Sequence, residues 1–472
     1  MKTLTQHFIN GGLVDSHGQE TVDIYNPANG ELIGRATLGD EKDTERAIAS
    51  AKAAFPAWSK TTLEERKNYL QRLADALTER LDELKAMTVA EYGAPVGFAD
   101  YVIGQARDFF VLAQDVLKPE NFEERRGKAT IEKLPVGVAG LLTPWNGSPW
   151  FVCGKAASAL AAGCTVVMKP SELSPFQSKI LMECFDKAGL PPGVINLVNG
   201  RGEIVGNTIT RSPDVQKISF TGSTKVGKQI NRDATETMKR VTLELGGKSP
   251  TIILDDADMG KAIEFALGVG LMNTGQACIA GTRILVPESR LEEVKIALKA
   301  GVGALKIGSP TQSDTVIQPM VSKGHYEGVQ SYIRKGIEEG AEILVGGEGK
   351  PAGFEAGNYV KPTIFVGVTN DMTIAQEEIF GPVLSVITYR DDDHAVEIAN
   401  DVEYGLHAYV FGGDQERARS VAARILAGRV MINEMIDDPT APFGGFKLSG
   451  FGREFGLAGV QAYLETRAVF YS

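Results

Sequence analysis

The segment that begins at residue 165 places a buried strand, a polar turn and a helix in direct succession. Residues 165–168 form a short β-branched run, and the turn that follows contains Lys169 and Glu172. The sequence Ser-Pro-Phe-Gln from Ser174 predicts the start of a helix that ends at Gly189. Strand, turn and helix in this order form half of a nucleotide-binding unit, which restricts the chain to α/β folds.

The same alternation of helical patterns and short β-branched runs continues along the chain. Residues 194–198 and 217–220 are predicted as two further strands. This pattern is typical of a parallel sheet with crossover helices, and 472 residues suffice for two or three domains. One helix is predicted after Thr62, which has capping-box spacing with Glu65. Its expected core stripe consists of Tyr69, Leu70, Leu73, Leu77, Leu81 and Leu84.

Charge and composition argue against several classes of function. The net charge of -11 includes no long block of like charge, which disfavours a nucleic-acid surface. No stretch approaches the roughly 20 apolar residues that cross a bilayer, and no apolar run follows Met1. The four cysteines show neither a disulfide framework nor metal-ligand spacing. We therefore expect a soluble cytoplasmic protein without a metal site, whose partners are small molecules and copies of itself.

Cys278 and Glu244 are the residues best suited to chemistry. A thiolate attacks carbonyl carbons readily, and the acyl-sulfur bond that results is released by an activated water. The carboxylate of Glu244 could activate that water. An isolated cysteine is more often an inert buried residue, but small residues flank Cys278 and a strand is predicted from Arg283. The remaining cysteines lie in apolar surroundings and are interpreted as packing residues: Cys153, Cys164 and Cys184.

Three polar turns after strands offer groups that bind a substrate or a cofactor. Asn146 presents a side-chain amide to a developing oxyanion, although an Asn-Gly pair is also typical of a plain turn. Lys169 and Glu172 suit the ribose of a dinucleotide, and the helix start at Gly222 and Ser223 suits its pyrophosphate. A solvated surface turn explains Lys169 and Glu172 equally well, and the fingerprint G-x-G-x-x-G is absent.

Taken together, these segments resemble the aldehyde dehydrogenase superfamily, whose members oxidise aldehydes to carboxylic acids with NAD or NADP. The resemblance covers nearly the whole chain, from residues 25–27 to residues 463–465. Seven motifs stand in the order of the family: Thr143-Pro144-Trp145-Asn146, Met168-Lys169-Pro170-Ser171-Glu172, Phe220-Thr221-Gly222-Ser223, Leu243-Glu244-Leu245-Gly246-Gly247, Gly275-Gln276-Ala277-Cys278, Glu377-Glu378-Ile379-Phe380-Gly381-Pro382-Val383 and Pro442-Phe443-Gly444-Gly445-Phe446-Lys447.

The resemblance implies a role for each matching position. Cys278 would be the nucleophile, Glu244 the general base and Asn146 an oxyanion donor, while Lys155 matches a lysine near the family's reaction centre. The residues expected to bind NAD are Thr143, Pro144, Trp145, Lys169, Ser171, Glu172, Gly202, Gly206, Phe220, Gly222, Ser223, Leu245, Gly246, Glu378 and Phe380. The residues expected in the substrate pocket are Gly147, Phe151, Ile279 and Phe443.

The resemblance also implies two α/β domains with parallel sheets and a β-strand oligomerisation arm. A Rossmann-like NAD-binding domain is expected from residues 1–116 and 137–245, and a catalytic domain from residues 246–448. Residues 117–136 and 449–472 are expected to form the arm, which would join the subunits of a homodimer or homotetramer.

Several residues bear on the type of reaction. The carboxylate of Glu172 would repel a 2'-phosphate, which favours NAD over NADP. Glu244 favours water over coenzyme A as the acyl acceptor, since family members that acylate coenzyme A generally lack this base. Gly147 stands where many members have Phe, and should widen the substrate tunnel near the thiol. The acidic loop 433–439 is either a solvated loop, the favoured interpretation, or a site for a cationic or hydroxylated aldehyde.

Alternative functions exist on the same scaffold. A silent ligand-binding protein would be expected to lack Cys278, Glu244 or Asn146, and all three are present. Ester hydrolysis without a cofactor would use the same thiol, and acyl transfer to coenzyme A would end the reaction differently. Oxidation of an aldehyde with NAD is the function that these residues favour.

Overall fold

The computed structural model describes residues 1–471, and its first large sheet has eight strands. The five central strands of this sheet run parallel, and antiparallel strands close both edges. In spatial order the strands are Gly450–Phe451, Arg240–Glu244, Lys217–Thr221, Val138–Leu142, Thr165–Lys169, Ile195–Leu197, Gln6–Ile9 and Gly12–Asp15.

The second large sheet has seven strands and is parallel except at one edge, where Glu342–Val345 runs antiparallel. In spatial order its strands are Glu342–Val345, Thr363–Val366, Val383–Tyr389, Arg283–Pro287, Pro250–Ile253, His407–Phe411 and Arg429–Ile432. Strand Pro250–Ile253 is buried along its whole length, as expected of a central parallel strand that is covered on both faces. Two parallel-sheet layers therefore confirm the predicted α/β class.

A separate antiparallel sheet forms a strand arm. Its strands are, in order, Leu464–Phe470, Ala129–Pro135 and Glu123–Arg126. Strand Gly450–Phe451 belongs instead to the first large sheet, and helix Gly456–Gln461 packs on helix Ser148–Ala162. Only part of the segment 449–472 therefore lies in the arm sheet, and the limits of the domains remain a prediction. Two small sheets complete the strands: Lys2–Leu4 with Leu32–Thr37 and Thr21–Tyr25, and Tyr404–Gly405 with Phe446–Lys447.

Helices cover both large sheets. The predicted capping box is present, because Thr62 Oγ1 accepts from the backbone of Glu65 while the Glu65 carboxylate accepts from the backbone of Thr62. The prediction of a single helix after Thr62 is wrong in extent. The chain leaves helical geometry at Arg80, so the leucine stripe spans two helices.

The α-helices are Glu41–Trp58, Leu63–Thr78, Leu81–Tyr92, Val96–Val116, Ser148–Ala162, Pro175–Ala188, Asn207–Arg211, Thr224–Thr235, Met259–Gly270, Leu291–Ala304, Lys323–Glu338, Thr373–Gln376, Asp392–Asn400, Gln415–Ala422 and Gly456–Gln461.

Four parallel strands of the first sheet end side by side at one edge. Their register pairs Thr221 with Glu244 and Leu142 with Lys169, and each strand leads into a turn that carries predicted site residues. The fold thus gathers motifs that lie far apart in the chain. Within residues 1–471, no helix is long and apolar enough to cross a membrane, and no group of three or more His, Cys, Asp or Glu side chains is placed to hold a metal ion.

Candidate active site

Cys278 lies in a tight loop that leads into strand Arg283–Pro287 of the second sheet. Gly275 has a φ of 72°, and a Cβ atom there would come within 2.1 Å of the Gly381 carbonyl oxygen, so only glycine fits. The Gln276 side chain fixes the loop, because it donates to the Pro319 carbonyl at 3.2 Å and accepts from the Val321 backbone at 3.0 Å. The motif before the thiol therefore holds Cys278 in a fixed position.

Glu244 is the last residue of its strand and is buried, with 2% of its surface exposed. Neither carboxylate oxygen has a hydrogen-bond partner among the described residues. Burial raises the pKa of Glu244 well above its usual range, and the negative charge of Glu454 raises it further. A carboxylate with a raised pKa binds a proton tightly, which suits a general base.

The Cys278 thiol has a raised pKa for related reasons. Burial is the largest cause, and the carboxylates of Glu378 and Glu244 add to it by charge repulsion. These causes favour the protonated thiol, so attack by the sulfur needs a base that takes this proton, and Glu244 is the carboxylate of the cavity best placed for it.

Asn146 links the turn after strand Val138–Leu142 to the loop that carries Cys278. Its Nδ2 atom donates a hydrogen bond of 3.0 Å to the backbone carbonyl of Gln276, two residues before Cys278. A side-chain amide has two N-H donors, so the second remains for an oxygen bound next to the sulfur.

Lys155 and Glu454 form a buried ion pair beside Glu244. Lys155 Nζ also donates to Ser219 Oγ at 3.0 Å, and Ser219 Oγ donates to Glu454 Oε1 at 2.9 Å. The charges of both residues act on the pKa of Glu244, Glu454 raising it and Lys155 lowering it. Lys155 was expected near the reaction centre, whereas Glu454 escaped prediction because its partner lies 299 positions away in the chain.

A cavity at the ends of the parallel strands, here called the strand-end cavity, has a volume of about 220 Å³. The Glu378 carboxylate accepts from the Gly247 backbone at 2.9 Å, and burial raises the pKa of Glu378 to about 7. A Cβ atom on Gly246 would come within 2.3 Å of Glu378 Oε2, so glycine leaves the carboxylate its space. The lining residues are Pro144, Trp145, Asn146, Phe151, Thr221, Gly222, Ser223, Glu244, Leu245, Gly246, Cys278, His325, Glu378 and Phe380.

The other seven residues expected at the cofactor are absent from the lining of this cavity. Lys169 Nζ is 3.3 Å from Glu172 Oε2, and a Cβ atom on Gly202 would lie 4.0 Å from the same nitrogen. The Phe220 ring is buried directly under Gly222. The remaining three of the seven are Thr143, Ser171 and Gly206.

A second cavity, here called the aromatic cavity, reaches Cys278 from the other side and has a volume of about 120 Å³. All four residues expected at the substrate pocket line it, and Gly147 leaves one wall open, because a Cβ atom there would meet nothing closer than 3.9 Å. The lining residues are Phe98, Tyr101, Val102, Asn146, Gly147, Trp150, Phe151, Met272, Asn273, Ala277, Cys278, Ile279, His407, Arg429, Met431, Met435, Ile436, Asp437, Phe443 and Phe455.

The polar residues of the aromatic cavity were mostly missed from the sequence. Tyr101 donates to Asp437 of the acidic loop at the cavity's outer part, so this loop is not merely solvated. Arg429, which stands in none of the seven motifs, donates to the backbone carbonyls of Pro442 and Ala441 at 2.9 and 2.6 Å. His407 borders the cavity from the start of strand His407–Phe411. The two cavities have three residues in common: Asn146, Phe151 and Cys278.

Comparison with known proteins identifies the family. A model of the aldehyde dehydrogenase family matches residues 13–469, almost the whole chain. This protein belongs to the aldehyde dehydrogenase family. A Staphylococcus haemolyticus protein that carries only a provisional aldehyde dehydrogenase name is 47% identical over 470 residues, with 99% of each chain covered.

Solved structures of aldehyde dehydrogenases share the fold closely. Aldehyde dehydrogenase C of Pseudomonas syringae, as a cysteine-to-alanine variant in complex with NAD+ and octanal, has a TM-score of 0.97 and 43% identity, covering 99% of this chain and 96% of its own. Betaine aldehyde dehydrogenase of Staphylococcus aureus, in complex with NAD+, has a TM-score of 0.95 and 35% identity, covering 98% and 94%.

Proposed function

We propose that this aldehyde dehydrogenase uses NAD+ to oxidise an aldehyde to the carboxylic acid through a thioester on Cys278. One observation carries the proposal: the strand-end cavity and the aromatic cavity meet at Cys278 and Asn146. A cofactor in the first and an aldehyde in the second would both face the sulfur. The complex of the Pseudomonas syringae enzyme with NAD+ and octanal supports the same pair of ligands.

The residues of the chain account for the chemistry. The Cys278 sulfur, once deprotonated, bonds to the aldehyde carbon, and the oxyanion that forms accepts hydrogen bonds from Asn146 Nδ2 and the Cys278 backbone. Bound NAD+ supplies the acceptor for the hydride that leaves this carbon. Glu244 then takes a proton from water, whose oxygen attacks the thioester carbon. The C-S bond breaks, the acid leaves and the thiolate of Cys278 is restored.

The strand-end cavity fits a dinucleotide. One Glu378 oxygen is held by the Gly247 backbone, which leaves the other oxygen for a ribose hydroxyl. The N-terminus of helix Thr224–Thr235, with Ser223 as its cap, suits a pyrophosphate. Glu172 beside Lys169 would accept hydrogen bonds from the adenosine ribose and repel a 2'-phosphate, so we propose NAD rather than NADP.

Water is the proposed acyl acceptor, as an unpaired buried carboxylate at Glu244 serves to activate water. The ion pair of Lys155 and Glu454 lies beside it and would adjust its proton affinity. We also propose a homo-oligomer, since strand Leu464–Phe470 exposes the edge of its sheet and 75% of the Phe470 side chain. The four free cysteines suit a reducing compartment such as the cytoplasm.

The test is NADH formation by the wild type and by Cys278→Ala with aliphatic, aromatic and amino aldehydes. We expect aldehyde-dependent NADH only in the wild type, with a loss of at least about 10³-fold in the variant. Cys184→Ala, which removes a buried thiol away from both cavities, is the matched control. NADH formation by Cys278→Ala, or none by the folded wild type with any aldehyde, would overturn the proposal.

A further inference from the structure

His407 is a polar residue of the aromatic cavity whose hydrogen-bonding capacity the protein does not use. Only 2% of its surface is exposed, and its Nδ1 atom has no hydrogen-bond partner among the described residues. A buried polar group without a partner lowers the stability of the protein, and a ligand that forms a hydrogen bond with the group removes this cost.

The other polar side chains of the aromatic cavity have partners or aromatic contacts. Tyr101 pairs with Asp437, and Asn146 donates to the backbone at Gln276. The Trp150 Nε1 atom also lacks a conventional partner. It lies among aromatic rings, however, with edge contacts to Phe109 and Phe455 at 5.3 and 5.0 Å between ring centroids. Such rings can accept an N-H donor.

A neutral His407 offers an acceptor nitrogen to a ligand. Burial and the positive charge of Arg429 lower the pKa of His407 to about 3, so the ring is neutral. A neutral imidazole has one N-H donor and one acceptor nitrogen. The nearest rings, Tyr409 and Phe443, lie 5.9 Å away and cannot donate from their faces. The Tyr409 hydroxyl donates elsewhere, to the Ile279 carbonyl at 2.9 Å. The acceptor nitrogen is therefore free for a ligand that donates a hydrogen bond.

The surroundings restrict what this ligand can be. The positive charge of Arg429, which pairs with Asp437 at 4.0 Å, acts on the His407 ring and opposes an ammonium group at its nitrogen. Aromatic and thioether walls, such as Phe98, Trp150 and Met431, favour an apolar body. The volume of about 120 Å³ is close to that of cavities of about 150 Å³ that accept benzene.

We propose that His407 is a specificity-determining residue that accepts a hydrogen bond from a hydroxyl group on an uncharged aldehyde with a ring-sized apolar body. Half a turn of the imidazole about its Cβ-Cγ bond exchanges the edges that the two nitrogens occupy, so either can face the ligand. This inference rests on the proposed function, because it places the aldehyde in the aromatic cavity beside Cys278.

The test uses substrate pairs of equal shape. Hydroxymethylbenzaldehyde and ethylbenzaldehyde, substituted at the meta or para position, differ only by a hydroxyl in place of a methyl group. In the wild type we expect kcat/KM for the hydroxymethyl compound to be about tenfold higher than for the ethyl compound at one position or both. A tenfold ratio corresponds to roughly one well-placed hydrogen bond. NADH fluorescence gives the rates.

Variants assign the preference to His407. His407→Phe keeps a ring but removes both nitrogens, and should bring the ratio of hydroxymethyl to ethyl to one or below. His407→Asn keeps an acceptor and should retain part of the preference. Tyr101→Phe removes a hydroxyl of the cavity that already pairs with Asp437, and should leave the ratio as in the wild type. Thermal melting of each variant checks folding, and His407→Leu serves as a second nitrogen-free variant.

Each remaining outcome overturns the inference. A wild-type ratio of one or less at both positions does so without any variant, and so does a ratio that His407→Phe leaves intact. Oxidation of aliphatic aldehydes but of no benzaldehyde would remove this inference and leave the proposed function standing. Failure with every aldehyde would remove both.

Discussion

The two cavities that meet at Cys278 are built in different ways. The strand-end cavity is formed by turns that directly follow parallel strands, with glycine at Gly222 and Gly246 and a carboxylate at Glu378. The aromatic cavity takes its walls from helices, loops and the second sheet, which bring together large side chains such as Phe98, Trp150 and Met431. The first cavity has groups suited to sugar and phosphate, and the second has side chains suited to enclosing an apolar body.

This difference suggests that one side can vary without the other. The strand-end cavity depends on backbone geometry at the sheet edge, which changes little without loss of the fold. The aromatic cavity depends on side chains that can be exchanged one at a time, as Gly147 shows with its open wall. Substitutions should therefore affect either the cofactor or the aldehyde, except at the residues common to both cavities.

Asn146 borders both cavities. Its substitution should lower activity more than substitution of Glu172, Glu378 or Tyr101. Asn146→Ala removes the proposed oxyanion donor, and we expect kcat to fall by about 10²–10³-fold. Steady-state NADH formation measures the loss. Alkylation of Cys278 in the variant serves as a control, since the same alanine also removes the bond to Gln276 that holds the loop. A fall of less than threefold would contradict the role of Asn146.

Glu172 tests the cofactor side alone. Glu172→Ala removes the charge that would repel a 2'-phosphate, so the ratio of kcat/KM for NADP to that for NAD should rise by roughly tenfold or more. The matched control is Glu203→Ala, which removes a carboxylate that, like Glu172, acts on the charge of Arg201 but is not expected at the cofactor. An unchanged ratio in Glu172→Ala, or an equal shift in both variants, would show that this carboxylate does not select the cofactor.

Glu378 lines the strand-end cavity, and its negative charge raises the pKa of the Cys278 thiol. Glu378→Gln removes hydrogen bonds to a ribose, and the KM for NAD should rise about tenfold. The same change removes a negative charge that raises the pKa of Cys278, so the thiol pKa should fall and the pH profile of its alkylation should move to lower pH. Iodoacetamide kinetics without cofactor measure the profile. A move to higher pH would contradict the assigned cause.

Tyr101 tests the aromatic cavity alone and should have the smallest effect. Its hydroxyl bonds to Asp437 in the outer part of the cavity, where both side chains are exposed. Tyr101→Phe should change the KM for an aldehyde by less than about threefold, because an exposed hydrogen bond has little net value. The KM for NAD is the internal control. If the KM for NAD changed more than the KM for the aldehyde, the two cavities would not bind these ligands separately.

The strand-end cavity was largely predictable from the sequence, because local patterns place its residues. A strand followed by a polar turn is visible in the sequence at Asn146 and Gly222, and parallel strands bring such turns to one edge. The resemblance to the family supplied Glu378, which no local pattern indicates. The fold class followed from the same alternation of strands and helices.

The aromatic cavity and the surroundings of Glu244 were less predictable. Arg429, His407 and Glu454 are distant from Cys278 in the chain, and each gains its role from partners on other elements. The break between the helices Leu63–Thr78 and Leu81–Tyr92 was missed as well, because no glycine or proline marks it and the leucines continue across it. Such features depend on tertiary contacts rather than on local sequence.

The most direct test of the account is to trap the acyl group on the sulfur where the cavities meet. Glu244→Gln keeps the shape of the proposed general base but cannot take a proton from water, so hydrolysis should slow by about 10²–10⁴-fold. After mixing with NAD+ and an aldehyde, intact-mass spectrometry should show one acyl group per chain, and peptide mapping should place it on Cys278. Unmodified protein with undiminished turnover, or an acyl group on another residue, would contradict the account.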